Sequence, residues 1–264
     1  MSSVAAAKAG GEGTAVILGA SGAVGKHLLS QLVGPESPYS TVLSFARRPH
    51  PSPPPVSPNV TFSEILVDFD AIHSGSSTEL SKLTTAPTAS SIFITMGTTR
   101  AAAGSMLAFE LIDREYVLST ARALHKPSSN QTLLYCSSSG SSSSSPFPYL
   151  KSKGLTEQGL ASTFANTIIF KPGYLANAER PGTRILEKLS APFVGLLAIA
   201  SDSVQADVRY VAKAMVRAAT MGTDELKNKG LGVTPGEGFK LDEGKGREGV
   251  AVVGNASILK LAKE

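Results

Sequence analysis

Tyr149 and Lys153, four positions apart in "YLKSK", are residue types that can move a proton together. Residues four apart on a helix share a face, so the ammonium can lie beneath the phenol, tune its acidity and let it act as a general acid or base. None of the other tyrosines among the six in the chain has Lys at that spacing. Just ahead runs a serine tract, Ser137 to Ser145, broken only by Gly140. A substrate carbonyl held for protonation needs a hydroxyl donor, and Ser137 or Ser138 stands where one would come from. The repeated serines leave the choice between them open.

A second group of residues is suited to phosphate. "GASGAVG" places Gly19, Gly22 and Gly25 at G-x-x-G-x-x-G spacing, with Ser21, Ala23 and Val24 between them. Glycines after a strand let backbone approach a pyrophosphate, and a helix opening there offers free N–H groups and a positive dipole end. Arg47 and Arg48 follow in "FARRP", and no Asp or Glu occurs from Ser37 to Ser63. A ribose 2′-hydroxyl is usually met by a carboxylate, whereas a 2′-phosphate wants guanidinium, so this stretch favours NADPH over NADH. Asp68 is placed where its side chain or the neighbouring amides could meet an adenine.

These groups need a frame that brings them together, and the hydrophobic pattern supplies one. "TAVILGA" reads as a buried strand, and "AVGKHLLSQLVG" follows with helical spacing until Pro35. "TVLSFARR" and "FSEILVDFD" read as the next strands, joined by the proline-rich surface loop Pro49 to Pro58. Ser91–Gly97 and Thr132–Ser138 are two more, with apolar residues from Met106 to Leu124 at helical intervals between them. A helix opening near Tyr149, a sixth strand "TIIFKPGYL" and helices around Arg184 to Ala200 and Asp207 to Met221 complete the order. Strand and helix alternate, which predicts an α/β fold: a single Rossmann-type, doubly wound parallel sheet with helices on both faces. "GVAVVGNASILKLAKE" is expected to add a strand and a closing helix. The reading makes 1–13 a flexible N-terminal segment and 14–264 one domain, with substrate-side elements mainly in 175–206 and 222–264. The serine tract and the proline loop read as low-complexity insertions within it.

Composition narrows the classes. The chain has 264 residues, 42% hydrophobic and 17% charged, with a net charge of +4 spread along it rather than gathered in a patch, and no nucleic-acid motif. The single cysteine, Cys136, excludes an internal disulfide framework and is expected to be a buried structural thiol. The four histidines have no metal-ligand spacing. "APFVGLLAIA", Ala191 to Ala200, is too short to cross a bilayer and reads as a core or pocket-lining helix, with peripheral membrane attachment left open.

The glycine loop, "YLKSK" and the serines ahead of it resemble those of the short-chain dehydrogenase/reductase superfamily, in its atypical branch. "MGTTRAAAGS", "DREYV", "LLYCSSSG", "YLKSKGLTEQGL" and "FKPGYL" together are similar to a family of small NADPH-binding proteins. That family includes the fungal FMP-fifty-two mitochondrial proteins and the mammalian Tat-interacting protein TIP-thirty. The resemblance implies that the glycine loop, Arg47 and Arg48 hold NADPH, with Gly97, Thr98, Thr99 and Arg100 near it after the fourth strand. It implies that Ser137 or Ser138, Tyr149 and Lys153 form a reductase triad, and that Pro172 and Gly173 pass the nicotinamide. It further implies a carbonyl substrate and peripheral association with the mitochondrial outer membrane, a cytoplasmic location being the alternative. A second reading is a non-catalytic NADPH-binding protein that engages a protein partner.

Overall fold

The computed structural model describes residues 12–176 and 205–264. Seven strands form one parallel sheet: β1 (Thr14–Leu18), β2 (Thr41–Ala46), β3 (Thr61–Leu66), β4 (Ser91–Ile94), β5 (Thr132–Cys136), β6 (Asn166–Lys171) and β9 (Val250–Gly254). Their order is β3-β2-β1-β4-β5-β6-β9, all neighbours parallel. Two short strands, β7 (Tyr174–Ala176) and β8 (Gln205–Asp207), pair separately.

Alternation along each strand sends side chains to opposite faces, and both faces are covered. Ala15 and Ile17 face α1 (Gly25–Leu32) and two C-terminal helices, Val208–Asn228 and Asn255–Lys263. Val16 and Leu18 face α2 (Phe69–His73), α3 (Ser77–Thr84), Tyr116–Leu124 and Pro148–Thr163. Between β4 and β5 the chain passes through α4 (Arg100–Ala103), α5 (Met106–Glu110) and a π-helical turn, Leu111–Glu115, before α6 (Tyr116–Leu124). The helix after β5 is α7 (Pro148–Thr163), followed by α8 (Val208–Asn228) and α9 (Asn255–Lys263). Strand order reverses between β1 and β4, which opens a crevice at their carboxyl ends.

The structure refines several readings. "TIIFKPGYL" is not one strand: β6 stops at Lys171, Pro172 has no N–H for a ladder, and β7 pairs with β8 instead. The apolar run from Met106 to Leu124 is two helices, α5 and α6, joined by the π-helical turn. Cys136 is half-buried against the core rather than sealed in it. The predicted helix from Arg184 to Ala200 lies outside the described residues. The serine tract, read as an insertion within the domain, is docked on α7. Ser142 N–H donates to Leu150 O at 3.2 Å, and Gln158 Nε2 donates to Ser143 Oγ at 2.9 Å. Its backbone lies so close to α7 that a methyl at Gly154 would come within 2.2 Å of Ser143 N.

Candidate functional site

At the carboxyl end of β1 the chain closes tightly on β4. Gly19 has φ +89°, and Thr95 Oγ1 donates to the carbonyls of Leu18 and Gly19, both at 3.2 Å. A methyl at Gly25 would lie 1.9 Å from Gly19 O, so α1 can begin against this turn only with glycine there. Val24, the N-cap of α1, provides no side-chain cap, and in the first turn Lys26 N–H donates to Gly22 O and Leu28 N–H to Val24 O, both at 3.0 Å. Ser21 is exposed, Ala23 half-buried and Val24 buried. Arg47 and Arg48 are exposed beyond the end of β2 and make no ion pair among the described residues. A tight glycine turn at the start of α1 and two exposed guanidiniums beyond β2 fit the phosphates of a dinucleotide.

Other residues expected near the cofactor have local duties. Asp68 is the N-cap of α2: Oδ1 accepts from Asp70 N at 2.9 Å and Ala71 N at 3.2 Å, while its own N–H donates to Glu79 Oε2 at 2.9 Å. Thr99 Oγ1 caps α4 by accepting from Ala102 N at 3.1 Å. Pro172 O accepts from Ser139 N at 2.9 Å, which ties the turn after β6 to the segment leaving β5.

Tyr149 occupies the first turn of α7, half-exposed at 41%, with its ring 5.4 Å from that of Phe109. Pro148 suits that first turn because its missing N–H needs no partner. One turn later Lys153 is buried. Its Nζ donates to Tyr135 Oη at 3.1 Å and forms an ion pair with Asp113 Oδ2, also at 3.1 Å but without hydrogen-bond alignment. Asp113 comes from the π-helical turn, and its Oδ1 accepts from Thr98 N at 3.4 Å. Gly97 lies over this pair: a methyl there would stand 2.9 Å from Asp113 Oδ1 and 3.5 Å from Lys153 Nζ. Gly97, Thr98, Asp113, Lys153 and Tyr135 are thus one cluster. Burial opposes the charge on Lys153, but Tyr135, Asp113 and Tyr149 outweigh it and hold the ammonium's titration well above the usual lysine range. Burial also pushes the Tyr135 phenol far up. Tyr135 is therefore neutral near pH 7, and the standing counter-charge of Lys153 is Asp113.

The two candidate serines differ. Ser137 is buried, and its hydroxyl, like that of Ser141, donates to Glu157 Oε1. Glu157 Oε2 in turn pairs with Lys171 Nζ at 2.9 Å, and Lys171 also donates to Ser141 O at 2.8 Å. Ser138 is half-buried with only a long contact to Ser139 O, 3.4 Å. Ser138 is thus the freer hydroxyl. A pocket of about 340 Å³ opens beside the Glu157–Lys171 pair, between Ser141–Ser143, Val233, Phe239 and Val252; it contains none of the residues named for cofactor or proton transfer. Asp113, Tyr135, Glu157 and Lys171 were not singled out by sequence. The available signal was spacing: Glu157 is four beyond Lys153, on the same helical stripe.

The strand order and the glycine turn after β1 define a Rossmann-type fold. A putative NAD(P)-dependent gluconate 5-dehydrogenase from Beutenbergia cavernae with bound NADP superposes with a TM-score of 0.58 at 13% identity, over 95% of this chain and 97% of that one. A short-chain dehydrogenase from Burkholderia cenocepacia in complex with NADP gives 0.55 at 17% identity, over 81% and 86%. The WbmF enzyme of Bordetella bronchiseptica in complex with NAD+ gives 0.53 at 15%, over 97% and 78%. At such identities the likeness is one of fold. No protein-family model matches the chain. Curated sequences are more specific. The mitochondrial protein fmp52-1 of Aspergillus terreus is 32% identical over 253 residues, 94% of this chain and 98% of the relative. The mitochondrial protein fmp52 of Emericella nidulans is 34% identical over 183 residues, 69% and 74% respectively. The chain belongs to the Fmp52 family.

Proposed function

We propose that this protein is an NADPH-dependent reductase of carbonyl compounds. The observation that carries this is the placement of Tyr149 on the first turn of α7 with buried Lys153 one turn beneath it, against Gly97 at the end of β4. The turn from Gly19 to Gly25, with Ser21, Ala23 and Val24, would hold the pyrophosphate; Arg47 and Arg48 would take the 2′-phosphate. Gly97, Thr98, Thr99 and Pro172 would border the nicotinamide half, and Asp68 the adenine. Bound NADPH would supply the hydride. The chain's own work is to hold the carbonyl oxygen with Ser138, or with Ser137 once released from Glu157, and to protonate it from Tyr149. Lys153 keeps a fixed positive charge below that hydroxyl.

Binding titrations with NADPH and NADH test the cofactor half. NADPH is expected to bind at least tenfold more tightly, about 1.4 kcal/mol, and the double substitution R47A/R48A to remove that preference. Equal binding of the two cofactors by the parent protein would refute the arginine assignment. NADPH consumption with a panel of aliphatic and aromatic aldehydes and ketones tests the reductase half. The commitment of Ser137 to Glu157 favours a second reading, an NADPH-binding protein whose occupancy sets its shape for a protein partner. Tight NADPH binding without consumption by any carbonyl would select it. The relatives' names place them in mitochondria, and we assign this protein to the same organelle, held peripherally at the outer membrane. Among the described residues no helix is long and apolar enough to cross a membrane. Release of the protein from isolated mitochondria by alkaline carbonate is expected; retention with integral proteins would exclude peripheral attachment.

A further inference from the structure

An ammonium below a phenol makes the phenol easier to ionise only if its charge is not cancelled. Here it is met at 3.1 Å by a carboxylate, and the two side chains are 6% and 0% exposed. The π-helical turn that delivers Asp113 is an irregularity of the kind often found where function requires a residue off the regular helical register. We propose that Asp113 positions Lys153 and cancels its charge, so that Tyr149 keeps its proton and the site is set to protonate a carbonyl rather than to take a proton from an alcohol.

This rests on the assignment of proton transfer to Tyr149. In the favoured direction the Tyr149 O–H bond breaks, its proton goes to the carbonyl oxygen, hydride from NADPH forms the new C–H bond, and the products are an alcohol and NADP+. Solvent can then reprotonate half-exposed Tyr149. The other charged groups near the cluster are paired elsewhere or exposed to solvent. From α7, Glu157 is matched by Lys171 of β6, and Lys151 is exposed to solvent. From the π-helical turn, Arg114 is matched by Glu110 and Glu115. From β5, Tyr135 is neutral. Arg100 of α4 is exposed. Asp113 is therefore the group whose loss would leave Lys153 uncompensated.

The test is an NMR titration of the protein labelled with 13C at the tyrosine ring, with Tyr149 assigned from Y149F. Asp113→Asn is expected to move the Tyr149 titration down by about one pH unit or more. The alkaline limb of carbonyl reduction should move with it. In case Asp113→Asn alone fails to fold, the double variant D113N/K153M replaces the ion pair with two uncharged groups of similar size. It is expected to restore the parental Tyr149 titration. An unchanged or upward-shifted titration in Asp113→Asn, or an upward shift in the double variant, would overturn the proposal. Failure of the underlying reading would look different: Y149F would reduce carbonyls at the parental rate while the titrations kept their predicted order.

Discussion

Replacing Tyr149 with phenylalanine is expected to abolish carbonyl reduction, lowering kcat by roughly 10²–10⁴-fold, the usual contribution of a positioned general acid. NADPH affinity should stay within about twofold of the parent, corresponding to roughly 0.4 kcal/mol. The substitution is clean for a structural reason. The ring already leans on Phe109 at 5.4 Å, a contact phenylalanine keeps, and no hydrogen bond of the Tyr149 hydroxyl ties it to the described residues. Stability should therefore hardly change. Steady-state turnover beside a cofactor titration separates the outcomes, and a variant that turns over near the parental rate with NADPH bound would remove Tyr149 from the chemistry.

The largest effect on stability is expected at Glu157. Its carboxylate is buried and accepts from Ser137 and Ser141 while pairing with Lys171. Glu157→Ala leaves an ammonium and two hydroxyls without their acceptor, a loss of about 3–5 kcal/mol, because removing one partner strands the other in a low-dielectric site. For a chain of this size that lowers Tm by about 10 °C. Glu157→Gln keeps an acceptor for the serines and should lose less. A calorimetric melt of both variants decides it; a Glu157→Ala protein melting within a degree or two of the parent would show that the cluster contributes little.

The succession of strands and helices was legible because buried parallel strands are apolar runs and the helices between them repeat at their own period. The glycine turn was legible for the same contextual reason: Gly19 and Gly25 matter because a strand precedes them and a helix follows. Asp113 was not. It sits in "DREYV" among charges that would normally face water, and only the π-helical turn rotates it inward, a displacement that a 3.6-residue period does not reveal. Glu157 was missed because its serine partners come from the segment after β5 and its lysine partner from β6, which only the folded sheet brings together. The break after Lys171 could have been read from Pro172, which cannot continue a ladder. At Ser137 to Ser145 low complexity reads as an insertion within the domain, and composition does not reveal that individual hydroxyls and amides there contact the helix that carries Tyr149.

That docking has a consequence for which changes of length the protein tolerates. Positions between Ser137 and Ser143 are chemically almost interchangeable, yet register sets their partners: Ser137 and Ser141 meet Glu157, Ser142 the Leu150 carbonyl and Ser143 Gln158. Deleting one serine there would leave the composition nearly untouched while sliding every later hydroxyl off its acceptor. Ser144 and Ser145 continue the pattern, their N–H groups donating to Ser142 Oγ and Ser142 O, so the register reaches up to α7. In this tract the information lies in the number of residues more than in their kind.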